Sequence, residues 1–357
     1  RLLIQALGFA GHQVELASVF RSYDSGDAVR QVRLKEIGRR LANRLIRRFL
    51  ARPIKHRPQA WFTYHLYHKA PDWIGPRVCD ALSIPYIVAE ASFAPKQQSG
   101  DWALGHASVQ KSIQHANVVV GFNPTDAACL SPLLSPLAHQ FTLPPMINTE
   151  QYADRKEQRS QRSKWAKAYN LDLNVPWLMT VAMMRKDQKQ KSYEVLATAL
   201  LTIKDQPWHI LIAGTGPAEA AIKSVFKGLE GRVTWLGFQD EKALCNLYAV
   251  ADLFVWPAIK EAYGMVFLEA MASGVPVVSG QSEGVAAIVQ HGQSGLLTPQ
   301  GDADKFAQAV LDMLEHKARR IHMGQQARKN IHATHSLGQA AKSLELILQH
   351  VMEEVAA

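Results

Sequence analysis

Short apolar runs rich in β-branched and aromatic residues recur along this chain, separated by longer stretches in which apolar positions repeat every three to four residues. The first stretch, Arg1 to Leu7, is helical in pattern and is ended by Gly8 and Gly11. Val14 to Phe20 then reads as a strand. Trp61 to Tyr67 and Pro85 to Ala91 are further strands, with a helix over Trp73 to Leu82 between them, and Asn117 to Gly121 adds another strand. Phe141 to Tyr152, FTLPPMINTEQY, sets two prolines in a polar turn sequence. A second alternating series follows: Trp177–Ala182, a helix over Tyr193–Ile203, Trp208–Ala213, a helix from Ala218, Arg232–Leu236, and on to Leu297. Leu337, Leu344, Ile347 and Val351 share one face of a last helix. Strands that alternate with helices imply α/β architecture with parallel, doubly wound sheets, whose ligands bind at the carboxyl ends of the strands.

Candidate chemistry is densest between Ala251 and Gly284, ADLFVWPAIKEAYGMVFLEAMASGVPVVSGQSEG. Leu253–Trp256 and Val275–Ser279 read as buried strands, and Met265–Ser273 as a helix opening on Gly264, where bare backbone lets a ligand approach. Glu261 and Glu269 lie eight residues apart across this helix start. Helical side chains lean toward the N-terminus, so Glu269 points back toward the loop that carries Glu261. The amides of Gly264, Met265 and Val266 supply partial positive charge suited to a phosphate or a sugar hydroxyl. Two hydroxyl-binding acids beside an anion site suggest a sugar nucleotide. A plainer reading makes Glu261 a solvated loop acid and Glu269 a first-turn dipole partner.

The surrounding sequence favours the first reading. E-x7-E, then EAMASGVPVV and EGVAAIVQHGQSGLLTPQGDADKFAQAV, resembles the donor half of the retaining, family 4 type glycosyltransferases with the GT-B fold. The resemblance runs from about Trp177 to Leu314. It implies two Rossmann-like domains facing a cleft: an acceptor-side domain over 1–145, a nucleotide-sugar-binding domain over 146–335, and a terminal helix over 336–357 that packs back on the first. The prolines of 141–152 resemble the family's linker. A first strand and a glycine-containing loop that the family carries ahead of Arg1–Leu7 are not found here, so the chain reads as truncated.

The resemblance also assigns residues. Arg185 maps onto the family's diphosphate arginine; for the matching lysine, spacing to the following helix favours Lys191, whereas Lys189 is nearer in local order. A diphosphate needs such partners, since Arg grips bidentately and Lys supplies a point charge. Gly214 and Gly216 of IAGTGPAE resemble the loop that lines the nucleotide, Phe238 lies where backbone meets the base, and Ala287 replaces a common Glu. Resemblance gives Glu269 to the ribose hydroxyls and Glu261 to the sugar. A histidine that follows a first-domain strand in the family is not matched by VAEASFAPK, which offers Glu90, Ser92 and Phe93; His65 and His68, with Lys69, are alternatives unless they are structural.

Composition is that of an ordinary globular protein, with 47% apolar and 20% charged residues over 357. Three scattered cysteines, Cys79, Cys129 and Cys245, suggest neither a disulfide framework nor a zinc site, which fits a cytoplasmic setting. The net charge of +9 calls for an acidic partner. Between Arg30 and Arg57, Arg33, Arg40, Arg44, Arg47 and Arg48 fall within about 100° of a helical wheel. Such a helix either rests on anionic lipid at the inner face of the cell membrane or is an ordinary solvated surface. Nucleic acid is the least favoured partner, because no binding motif accompanies the charge.

The expected activity is transfer of a hexose-type sugar from a UDP-, GDP- or ADP-sugar donor to a glycan or lipid-linked hydroxyl. Neither a metal nor a cofactor is expected. The alternatives are a GT-B sugar-nucleotide epimerase and an idle sugar-nucleotide-binding module.

Overall fold

The computed structural model describes residues 1–122, 124–152 and 155–356, with side chains at all of these except 124–126, 155–160 and 354–356. The chain divides into two compact units, Leu3–Pro144 with the end of the chain from Ala340, and Pro145–Gln339.

The first unit contains α1 (Leu2–Phe9), α2 (Ala28–Leu50), β1 (Trp61–Leu66), α3 (Gly75–Leu82), β2 (Tyr86–Ala91), α4 (Ala103–His115), β3 (Val118–Gly121), α5 (Pro124–Leu130) and β4 (His139–Thr142). Its four strands are parallel and lie in chain order, β1-β2-β3-β4. Ile87, Val88, Val118 and Val119 are fully buried, as continuous apolar runs in a parallel sheet should be. Asp27 starts α2 by accepting a 3.0 Å bond from the Arg30 amide, and Ala42, Leu45 and Phe49 of that helix pack on Ile74 and Val78. The expected strand over Val14–Phe20 does not form. Val14, Leu16 and Val19 are exposed, and without a neighbouring ladder their β-propensity has nothing to act on. β4 was not expected; its sequence, His-Gln-Phe-Thr, lacks the apolar run that marks the other strands.

The second unit contains α6 (Arg155–Tyr169), β5 (Trp177–Val181), α7 (Gln188–Thr202), β6 (His209–Ala213), α8 (Glu219–Val225), β7 (Val233–Gly237), α9 (Glu241–Val250), β8 (Leu253–Trp256), α10 (Met265–Ala272), β9 (Val277–Gly280), α11 (Glu283–Ala286), β10 (Gly295–Thr298), α12 (Ala303–Glu315) and α13 (Lys317–Thr334). A last helix, α14 (Leu337–Ala356), starts here and belongs to the first unit from Ala340. The six parallel strands are ordered β10-β9-β8-β5-β6-β7. Chain order therefore reverses between β5 and β8, and the crevice outside the carboxyl ends of those two strands is where a doubly wound sheet takes its ligand. Trp177, Trp208, Trp256, Phe254 and Phe267 are fully or almost fully buried in the core that fixes these strands. Among the described residues, no helix is long and apolar enough to cross a membrane.

Candidate active site

Two loops leave the sheet at the point where strand order reverses. The one after β5 runs from Ala182 to Asp187, and Asp187 caps α7 by accepting a 2.8 Å bond from the Lys189 amide. This capping starts the helix earlier than its apolar pattern suggests, so Lys189 and Lys191 stand in its first turn and not in a loop. Residues two apart on a helix are turned by about 200°, and the lysines accordingly diverge. Lys189 is largely buried, donates to the Glu261 carboxylate and lies 5.6 Å from the centre of the Trp256 ring. Lys191 is exposed. Arg185 is half exposed and pairs with Asp187 at 3.0 Å.

The second loop, after β8, carries Glu261 and Gly264. The Glu261 carbonyl accepts a 3.0 Å bond from Ser282 Oγ, which ties this loop to the end of β9. Gly264 has φ +62°, and a Cβ there would collide with the Phe267 ring and approach Glu261 Cγ, so only glycine fits the turn. No side chain caps α10. The first amides of a helix have no partner within it, which leaves the positive end of α10 beside Glu261 open to a ligand.

Glu269 stands one turn into α10, and the Tyr248 hydroxyl donates to its Oε2 at 2.8 Å. Burial pushes this carboxyl above the usual range, against the lowering effect of the tyrosine bond. Tyr248 and Tyr152 are both held well above their ordinary value, chiefly by burial and then by the Glu269 charge; burial likewise raises Cys245. Glu269 therefore has a neutral, largely dry backing. The structure thus gives the two acids different partners, a cation for Glu261 and a phenol for Glu269.

Gly214 and Gly216 line the turn after β6. The Gly214 amide donates to the Gly237 carbonyl at 2.8 Å, the Met184 amide to the Thr215 carbonyl at 2.9 Å, and the Ala218 amide to the Met184 carbonyl at 2.9 Å. A Cβ on Gly214 would meet the Ala182 carbonyl, and one on Gly216 that of Met184. Both glycines thus support the segment that leads into Arg185. Phe238, next to Gly237, is 76% exposed at this edge. Met265 and Val266 are half-buried in the first turn of α10.

Tyr248, Tyr152 and Ser282 were not singled out from sequence. Tyr248 hides inside the apolar pattern of α9, and the available signal was that a buried tyrosine hydroxyl needs a partner. In the first unit, Glu90 and His65 come together at the ends of β2 and β1, with His65 Nδ1 3.4 Å from Glu90 Oε2.

Residues 175–316 match the family described as Glycosyl transferases group 1. The match takes in β5 to α12 of the second unit. Its fold is GT-B. It is similar to N-acetyl-alpha-D-glucosaminyl L-malate synthase of Bacillus anthracis, 29% identical over 53% of this chain and 49% of the relative. It is also similar to a GDP-mannose-dependent alpha-(1-6)-phosphatidylinositol monomannoside mannosyltransferase of Mycobacterium tuberculosis, 30% identical over 54% of this chain and 51% of the relative. The chain spans about half the length of these curated relatives. Among solved structures it resembles HepE of Anabaena in complex with UDP and glucose, with TM-score 0.66, 18% identity and coverage of 87% and 81%. Sucrose-phosphate synthase of Thermosynechococcus elongatus gives TM-score 0.65, 20% identity and coverage of 89% and 80%. Likeness at these identities speaks for the fold.

Proposed function

We propose that this chain is a retaining glycosyltransferase of the group 1 type, moving a hexose-type sugar from a nucleoside-diphosphate donor to a hydroxyl of a glycan or lipid-linked acceptor without a metal. The observation that carries the reading is the Lys189–Glu261 pair beside the uncapped start of α10, at the reversal of strand order. Support comes from HepE, solved with UDP and glucose, and from the mannosyltransferase relative, which is GDP-mannose-dependent by name.

In this reading the glycosidic C–O bond breaks with its electron pair going to the diphosphate, and positive charge grows on the sugar ring. Arg185, Lys191 and the Gly264–Val266 amides stabilise the leaving group. Glu261 faces the sugar, and Lys189 holds that carboxylate in place by donating to it. Glu269 takes the ribose hydroxyls, and the loop of Gly214, Gly216 and Phe238 borders the nucleotide. The acceptor proton passes to the departing phosphate as the new bond forms on the same face.

A panel of UDP-, GDP- and ADP-sugars tests this. A donor at 100 times its dissociation constant should stabilise the fold by about 2.7 kcal/mol, and nucleoside diphosphate should be released with EDTA present. Isomerised donor, or binding without turnover, would refute the assignment.

We further propose that α2 rests on anionic lipid. Arg33, Arg40, Arg44, Arg47 and Arg48 are exposed, although Glu36 holds Arg40 at 3.0 Å and Glu15 holds Arg48 at 2.7 Å. Replacing Arg40, Arg44 and Arg47 by Gln should remove about 2–3 kcal/mol of affinity for anionic vesicles, and salt should weaken it likewise. A parent protein that stays in the supernatant at low salt would exclude this.

A further inference from the structure

A cavity of about 820 Å³ opens at the amino edge of the second unit's sheet, the edge opposite the candidate active site. Pro176 leads into β5, Asp252 into β8 and Gly274 into β9, and all three line it. α6 contributes Arg162 to the wall, and α13 contributes one face, on which Lys317, Ile321, Gln325, Arg328 and His332 follow at intervals of three or four residues. A doubly wound sheet takes its ligand at the carboxyl ends of its strands, so a hollow at the amino ends is a separate place. Its volume is that of a small-molecule site, about 300–1,000 Å³.

The charge around it has one sign. α6 contains six Lys or Arg residues and one Glu, and α13 contains five and no acid. Five cationic side chains line the cavity against one carboxylate, Asp252, which Arg162 holds at 2.7 Å. The fold accounts for the arginines. Arg162 donates to the Val250 carbonyl at 2.8 Å, Arg320 to that of Met313 at 2.5 Å and Arg328 to that of Ala272, so each closes the end of a helix: α9, α12 and α10 in turn. A guanidinium has five N–H donors, and a carbonyl orients it without cancelling its charge. The lysines have no such task. Lys317 and Lys329 are exposed and neither has an ion-pair partner among the described residues. Lys317 also stands at the start of α13, which no side chain caps.

The geometry points to a binding site for a small molecule with two phosphate groups on a carbon skeleton, one phosphate taken by Lys317 and the other by Lys329. The two lysines are twelve residues apart, about 18 Å along the helix, and their flexible stems can close on a ligand that lies between them. Ile321 on α13 and Leu173 before β5 are both in the lining and partly exposed, and they offer apolar contact to the skeleton. A single carboxylate would bring too little charge to five cations, whereas phosphate dianions match them and suit the arginines already fixed in the wall. A membrane presents its phosphates on a broad surface that does not enter a hollow. This site is independent of the transferase reading.

The test is calorimetry of the full chain at about 0.15 M salt, where the field of the protein as a whole is largely screened. The probes are fructose 1,6-bisphosphate, fructose 6-phosphate and inorganic phosphate, each with and without saturating UDP. The bisphosphate should bind at least about tenfold more tightly than either monophosphate, with or without UDP. Lys317→Gln and Lys329→Gln, both at exposed positions where the fold should tolerate them, should each weaken it about tenfold. Lys204→Gln and Lys242→Gln remove the same charge outside the cavity and should leave it unchanged. No binding of the bisphosphate overturns the inference, as does its displacement by UDP or equal weakening in all four variants. Inorganic phosphate bound as tightly as the bisphosphate would mean an adventitious ion only. If the chain binds no UDP and releases no nucleoside diphosphate from any donor, the transferase reading falls, while the bisphosphate result still decides this one.

Discussion

The carboxyl edges of the two sheets reverse their backbone in opposite ways. In the second unit the sharp turns fall on Gly214, Gly216, Gly237 and Gly264, all at positive φ, with Lys260 at φ +51° the one other residue of this kind beside the site. In the first unit the left-handed residues at the strand ends are His65 and Glu90. Glycine turns let bare backbone approach a ligand and cost no strain, which suits a nucleotide held by amides and by the ends of helices. A left-handed histidine or glutamate costs about 1–2 kcal/mol and is retained for the side chain it places. One edge is built to bring backbone to a ligand and the other to bring functional groups.

The comparison breaks most easily at Gly214. A Cβ there would meet the Ala182 carbonyl, with φ at +146°. Gly214→Ala should lower the free energy of unfolding by about 3–4 kcal/mol, combining an unfavourable backbone conformation with displacement of a packed loop. Urea denaturation measures it, and a loss below about 1 kcal/mol would show that glycine is not required at this turn.

Next in size is Glu269→Ala. Loss of hydrogen bonds to a charged acceptor should weaken nucleoside diphosphate binding by about 3 kcal/mol, roughly a hundredfold in Kd by calorimetry. Unchanged affinity in the folded variant would remove Glu269 from the nucleotide site. Its titration sharpens the point. Burial raises the carboxyl above its ordinary 4.5, so the acceptor form is lost at a pH where an exposed glutamate is still ionised. Affinity should fall as pH is lowered through that raised value, more steeply in the parent than in Glu269→Gln. Stability moves in the other sense: the folded state binds this proton more tightly than the unfolded state, so its contribution favours folding at low pH. That contribution declines as pH rises from 4.5 through the raised value. Tyr248→Phe should cost less, about 1 kcal/mol of nucleotide affinity, because it removes one neutral donor that orients Glu269. An affinity equal to the parent's would mean the phenol is only a packing group.

The same contrast explains how much could be read beforehand. The second unit's edge was legible because its devices are local in sequence: a short apolar strand, a glycine, a helix start and two acids at fixed spacing place Gly264, Glu261 and Glu269 without knowledge of distant contacts. What sequence left open was the lysine, since capping by Asp187 decides where α7 begins and thus that Lys189 faces Glu261. The first unit's edge was hidden because its chemistry arises across strands. His65 and Glu90 are 25 positions apart and become neighbours only through the register of β1 and β2. Val14–Phe20 misled for the same reason, having strand composition without a strand beside it.

The smallest effect tests the other half of the comparison and has the opposite sign. If His65 and Glu90 are held left-handed for function, glycine at either position relieves about 1–2 kcal/mol of backbone strain. The unfolded chain gains entropy from the same change, which takes back about 0.4–1 kcal/mol. His65→Gly and Glu90→Gly should therefore each unfold in urea at a stability equal to the parent's or up to about 1.6 kcal/mol greater. Most substitutions at random positions destabilise by about 1 kcal/mol, so even a neutral result is informative. A loss above about 1 kcal/mol in both would show that these side chains hold the fold together and that the strain is structural. Neutral or stabilised variants would show an edge whose left-handed conformation is kept for something other than stability.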